Sequence, residues 1–139
     1  DFFFSTAGRI SCVEKAFSWI VLATGRNRLL GQDVGAQGTI IYSLKSNTKI
    51  LSISDFKRKR IGLALVHSPS YFMGKQVLDK NGVNLFTDTD QLVFYGSNYA
   101  DQLQDVLKEN IDIGITSETF IFQKYPDQIP YLRFLNVLN

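Results

Sequence analysis

The sequence predicts an α/β domain: a mainly parallel sheet with flanking helices. Two observations carry that expectation. The first is the stretch RIGLALVHSPSYFMGKQVLDKNG, from Arg60 to Gly82. Its apolar run Ile61 to Val66 has the length and composition of a strand buried on both faces. The turn His67-Ser68-Pro69-Ser70 follows, with Ser70 placed to cap a helix. From Tyr71 the spacing becomes helical, with Tyr71, Gly74, Val77 and Leu78 on one side, and Asn81-Gly82 supply a left-handed stop. The second observation is that this unit repeats. Gln91 to Tyr95 reads as a strand, Gly96-Ser97-Asn98 as a polar turn and Tyr99 to Asn110 as a helix; Asp112 to Ile115, Thr116-Ser117 and Glu118 to Tyr125 form a third set. Strand-turn-helix units in series imply parallel pairing, and ligands of such sheets bind outside the carboxyl ends of the strands. The polar turns therefore share one rim.

The remaining elements fall in order around these three units. Asp1 to Phe4 is strand-like, Ser5-Thr6-Ala7-Gly8 a small turn with Ser5 or Thr6 as cap, and Ile10, Val13, Glu14 and Phe17 mark one side of a helix. A short strand at Ile20 to Ala23 precedes Thr24 to Gln37, the longest stretch without periodicity, read as a functional or mobile loop. Gly38 to Leu44 is another strand and Lys45 to Lys49 an exposed turn. Leu51 to Phe56 makes one helical turn, with Ser52 and Asp55 at capping-box spacing. Pro126 and Pro130 bracket a connection to a last strand-like segment, Tyr131 to Leu138.

Composition excludes more than it selects. The 139 residues are 45% hydrophobic and 20% charged, an ordinary globular balance with room for a real core. A net charge of +2 argues for neither nucleic acid nor a membrane surface, and the run Lys57 to Arg60 reads as a solvated turn. The single histidine, His67, and the single cysteine, Cys12, exclude a two-His metal site, a thiolate cluster and an internal disulfide. No GxSxG, GxxxxGK or HExxH pattern occurs, and the carboxylate pairs Asp88/Asp90 and Asp101/Asp105 read as solvated charge. No catalytic residue, metal or cofactor is expected. The chain begins at Asp1 rather than Met and looks like an excised piece.

The order of segments carries a resemblance. DFFFSTAGR, LATGRNRLLGQ, GTIIYSLKSNTKILSISDFKRKRIGLA and FYGSNYADQLQDVLKENIDIGITSE, taken together, resemble the phosphonate-binding-like group of type 2 periplasmic binding proteins. They look most like the version used as the extracytoplasmic sensor domain of membrane histidine kinases, the tetrathionate-sensor type among them. The family's "sLaDLkGKrV" segment is matched by Ser52 to Ile61. Its "TGshdaal…vlnGevDag" segment is matched by Gly96 to Leu103 and Val106 to Gly114. Two departures stand out: the half-lobe that family members carry before the strand matched by Asp1 to Phe4 is missing, and Glu109-Asn110-Ile111-Asp112 lacks the family's glycine, with Asn110 standing in at the left-handed position. The resemblance implies a partial first lobe at 1–37 and 128–139 and a second lobe at 38–127. Crossover strands near 38–44 and 131–138 would join them.

What the resemblance implies for function is a small anionic solute held between the lobes. Ser5 and Thr6 would contribute from the first lobe, and Ser68, Ser70, Ser97, Asn98, Thr116 and Ser117 from the second, because hydroxyls and helix-end N–H groups hold an anion with dipoles. His67 is placed to donate to an anion, and Tyr71, Tyr95 and Tyr99 flank the rim and are placed to wall the site. All of these residues also have ordinary roles, the hydroxyls as caps, His67 as a bonded loop residue and the tyrosines as core. The implied protein is the sensor domain of a membrane histidine kinase, periplasmic or extracytoplasmic, with the inner membrane reached only through segments outside this piece. The alternative is the solute-binding protein of a phosphonate- or oxyanion-type ABC importer. An enzyme or a regulator's effector domain on the same fold is the third reading. A truncated first lobe leaves an open sheet edge and apolar surface, which invites a homodimer.

Overall fold

The computed structural model describes residues 27–29, 32–34, 38–66 and 68–138. The elements expected before residue 24, with Ser5, Thr6 and Cys12, and the turn residue His67 lie outside the described residues.

The stretch read as a loop between Thr24 and Gln37 holds two short strands instead, β1 (Asn27–Leu29) and β2 (Gln32–Val34), paired antiparallel with Asn27 opposite Val34. Three-residue strands leave too little alternation for periodicity to register. The main sheet has five strands. In chain order these are β3 (Thr39–Leu44), β4 (Arg60–Leu63), β5 (Gln91–Phe94), β6 (Ile113–Ser117) and β7 (Leu132–Leu138), and in space β5-β4-β6-β3-β7. Strand β4 pairs parallel with both β5 and β6, as the repeated units require, so Leu63 stands beside Phe94 and Ile115. Strand β3 lies between β6 and β7 and is antiparallel to both, so β7 points the same way as β4, β5 and β6. The sheet is thus mixed, with one strand opposed to the other four.

Helices cover both faces. Helix α1 (Pro69–Lys80) buries Ser70, Gly74, Val77 and Leu78, and its side of the sheet gathers Ile41, Ile61, Leu63, Ile113 and Ile115 with Phe56 and Leu85. Helix α2 (Tyr99–Leu107) buries Gln102, Leu103 and Val106, over Ile40, Tyr42 and Ile111 on the opposite face. Core residues alternate along β3 and β6 because successive side chains point to opposite faces.

The helix ends correct two expectations. Helix α1 starts at Pro69, not Tyr71, and its cap is Ser68, whose Oγ accepts the Tyr71 N–H at 3.1 Å. Proline has no N–H to satisfy and so suits the first helical position. Ser70, expected as the cap, is the second helical residue and is buried. At the far end Gly82 takes φ +70, Gly82 N–H bonds Asp79 O at 3.1 Å and Val83 N–H bonds Leu78 O at 2.9 Å. This is the expected left-handed stop. Helix α2 ends the same way, but the left-handed residue is Glu109 (φ 60), with Glu109 N–H on Val106 O and Asn110 N–H on Asp105 O at 3.1 and 2.8 Å. Asn110 does not stand in for glycine; its side chain donates to Asp105 Oδ1 at 2.9 Å.

The third helix is reduced to a π-type turn at Phe120–Lys124, followed by a 3-10 segment at Pro126–Tyr131. Ile53–Phe56 is likewise 3-10, and Asp55 accepts from the N–H of Leu51 and of Ser52, both at 2.9 Å, the bond expected from capping-box spacing. Backbone bonds from Leu51 and Ser52, with the Ser52 hydroxyl, hold the Asp55 carboxyl below its usual range.

Under α2 the sheet carries a flat spot. Gly62 and Gly114 are cross-strand partners, and the Tyr42 ring from β3 occupies the space above Gly114. Tyr42 is fully buried; its hydroxyl donates to Gln102 Oε1 at 3.2 Å, and Gln102 Nε2 donates to Ile115 O at 3.2 Å. Burial, then the neighbouring Tyr95, pushes the Tyr42 phenol far up. The chain thus threads a satisfied polar pair through an apolar layer, which fixes α2 against the sheet.

Candidate functional site

Parallel pairing of β5, β4 and β6 brings their carboxyl ends to one edge, and with them the turns that begin α1, α2 and the π-type turn. Since β3 runs the other way, its first residue lies at that edge too: Thr39 stands opposite Ser117 and, on its other side, Leu138. The rim therefore carries Ser68, Ser97-Asn98, Thr116-Ser117 and the Gly38-Thr39 start of β3.

The predicted residues divide by position. Ser68 and Ser70 are buried at the amino end of α1, where first-turn N–H groups concentrate positive dipole. Thr116 is fully buried, and its Oγ1 has no hydrogen-bond partner. Ser117 is buried with its Oγ 2.8 Å from Thr119 Oγ1. Ser97 and Asn98 are exposed, and the Asn98 amide donates to the Asp101 carboxylate rather than capping α2. Tyr71 is half-buried, edge-on to Phe72 at 5.4 Å and packed against the α1-side core. Ser5, Thr6 and His67 lie outside the described residues.

Strand spacing sets how many of these one small solute reaches. With neighbouring strands about 4.8 Å apart, β5 and β3 are separated by roughly 14 Å. The compact group is at the β4, β6 and β3 ends, and Ser97-Asn98 stands off at the outer strand.

Sequence reasoning passed over one member of that group. Glu118, the residue after β6, is only 6% exposed. Its Oε1 accepts the Gly38 N–H at 3.1 Å, and its carboxylate fills the space where a Cβ on residue 38 would sit. The available signal was an acidic residue directly after the serine and threonine of a buried strand end. It was absorbed into the expected third helix.

The opposite edge holds the main ion pair of the sheet. Arg60 Nε and Nη2 donate to the two oxygens of Asp112 at 3.0 and 2.9 Å, and Nη2 also donates to Glu109 O at 2.8 Å. Burial raises the Asp112 carboxyl, but the Arg60 bonds outweigh it and the net shift is downward. This pair ties the amino ends of β4 and β6 and is structural. Tyr95 is engaged as well, its hydroxyl donating to Asp105 at 2.6 Å. Among the described residues no group of three or more His, Cys, Asp or Glu is arranged to hold a metal ion.

Neither protein-family models nor curated protein sequences give a match to this chain. Solved structures do. XAC2383 from Xanthomonas citri bound to ATP superposes with a TM-score of 0.66 at 19% identity, over 84% of this chain and 45% of that one. The binding protein component of an ABC phosphonate transporter from Pseudomonas aeruginosa gives 0.58 at 18% identity, over 75% of this chain and 37% of that one. The periplasmic aliphatic sulphonate binding protein SsuA from Escherichia coli gives 0.58 at 20%, over 72% and 32%. The chain has a periplasmic-binding-protein-like fold. It spans less than half the length of each of these structures. An ancestral arginine-binding protein shares the fold too, so architecture alone does not select the ligand. At 18–20% identity they show the fold alone, and nothing in them shows the histidine-kinase sensor.

Proposed function

We propose that this chain is most of one lobe, with part of a second, of a periplasmic solute-binding protein of an ABC importer, and that it holds a small anionic solute at the carboxyl rim. One observation carries the reading. Thr39 and Leu138 are paired at the rim, so the chain enters the five-stranded unit and leaves it side by side, on the edge that carries the unpartnered Thr116 hydroxyl. A second lobe attached through both strands would sit over that edge and close a solute between the two. Strands β3 and β7 would then be the crossovers, and a few residues at their rim ends would absorb the hinge motion.

The roles follow from the rim. The first-turn N–H groups of α1, behind Ser68 and Ser70, would face the anionic group, and Thr116 Oγ1 would gain the partner it lacks. The test is thermal unfolding of the full-length protein against phosphate, methylphosphonate, sulfonates and small carboxylates. A ligand at about a hundred times its dissociation constant adds roughly 2.7 kcal/mol of stability. If Ser68→Ala with Thr116→Val left the affinity of a hit unchanged, the rim assignment would be wrong.

A further inference from the structure

Resting on that reading, we infer that the solute carries a cationic N–H donor as well as its acidic group, and that Glu118 receives it. Buried carboxylates in folded proteins are paired or fully hydrogen-bonded, because an uncompensated buried charge is expensive. Glu118 is nearly buried, yet the described structure gives its carboxylate a single bond, from the Gly38 N–H to Oε1. No lysine or arginine among the described residues pairs with it.

Its position makes the surplus meaningful. The Glu118 N–H bonds Gly38 O at 3.0 Å, so the residue continues the β3–β6 ladder beyond Ser117 and its backbone is fixed at the rim. The absence of a side chain at Gly38 is what lets the carboxylate lie there: a Cβ would come within 2.2 Å of Glu118 Oε2. A bare oxyanion beside this carboxylate would meet like charge. A zwitterion meets neither penalty, with its acid toward the amino end of α1 and its ammonium on Glu118 Oε2, where the charge-assisted bond is strong.

The test uses matched pairs on the full-length protein: methylphosphonate against aminomethylphosphonate, and propionate against β-alanine, by titration calorimetry. The amino member of at least one pair is expected to bind ten times more tightly or better, because a site built to accept an N–H discriminates sharply against the analogue that lacks it. Glu118→Gln, which keeps the acceptor for Gly38 N–H, should level the two members, and Glu118→Asp should retain part of the preference; melting temperatures confirm that both variants fold. Equal binding within both pairs, or a preference that survives Glu118→Gln, overturns the inference while leaving the solute site standing. Binding of no member overturns this inference, and the solute reading itself falls if phosphate and the sulfonates fail to bind as well.

Discussion

Replacing Gly114 by alanine tests the packing that holds α2 to the sheet. The added Cβ would sit 2.3 Å from Tyr42 Cζ and 2.6 Å from both Cε1 and the hydroxyl oxygen. Ordinary contact requires the ring to retreat by about 1 Å, but Tyr42 is fully buried and its hydroxyl is bonded to Gln102. Overpacking of this kind costs about 1–3 kcal/mol. Dislodging the ring also breaks the buried Tyr42–Gln102 bond, worth about 1 kcal/mol. Alanine recovers roughly 0.5 kcal/mol by restricting the unfolded chain. The net expectation is a loss of about 1.5–3.5 kcal/mol. Urea unfolding of the full-length protein, wild type against G114A, measures it. The double variant G114A/Y42A should lose at least 1 kcal/mol less than the two single losses combined, since the clash exists only while the ring does. A G114A protein within 0.5 kcal/mol of wild type would refute the packing described for the Gly62–Gly114 spot.

Three further outcomes are expected. Tyr42→Phe leaves Gln102 Oε1 without its donor and should cost about 1 kcal/mol in the same assay, with the helical circular dichroism unchanged. Glu109→Gly relieves a left-handed non-glycine residue while keeping the backbone bond to Arg60, and should stabilise by about 1 kcal/mol; a destabilised variant would mean the Glu109 side chain matters more than its φ. Asp112→Asn should cost about 2 kcal/mol at pH 7, where the charge-assisted bonds to Arg60 are intact. Because the folded carboxyl titrates below its unfolded value, that contribution is present above about pH 4 and is lost as pH falls further. The gap between wild type and D112N should therefore narrow toward pH 3, and a gap constant with pH would assign the effect to shape rather than charge.

The parts of this fold that were legible in the sequence are those set by local pattern. The three strand-turn-helix units predicted parallel pairing of β4, β5 and β6, and the Asn81-Gly82 stop appears at the residue expected. Boundaries were lost where two local signals competed. Ile61 to Val66 is evenly apolar, but pairing ends at Leu63 and the chain turns toward Pro69, whose ring holds Ser68 extended and makes it the cap in place of Ser70. Glu109, not Asn110, takes the left-handed position, and the Asn110 side chain is engaged by Asp105. The antiparallel placement of β3 between β6 and β7 rests on partners far away in sequence, which no window of residues contains. Glu118 was missed for the same reason, since its meaning comes from Gly38 on another strand.

That arrangement of β3 has a consequence for how the chain reaches its fold. Strand β3 is among the first described segments of the main sheet, yet both of its neighbours come late, β6 at Ile113–Ser117 and β7 at Leu132–Leu138. A chain growing from its amino end would hold the apolar Ile40, Ile41 and Tyr42 without a ladder until nearly all of the rest had been made. Pairings between such distant segments form slowly, because the loop entropy must be met before the contacts reward it. Refolding should be limited by closure of β7 onto β3, and a chain cut before Leu132 would present β3 as a bare edge, open to other chains.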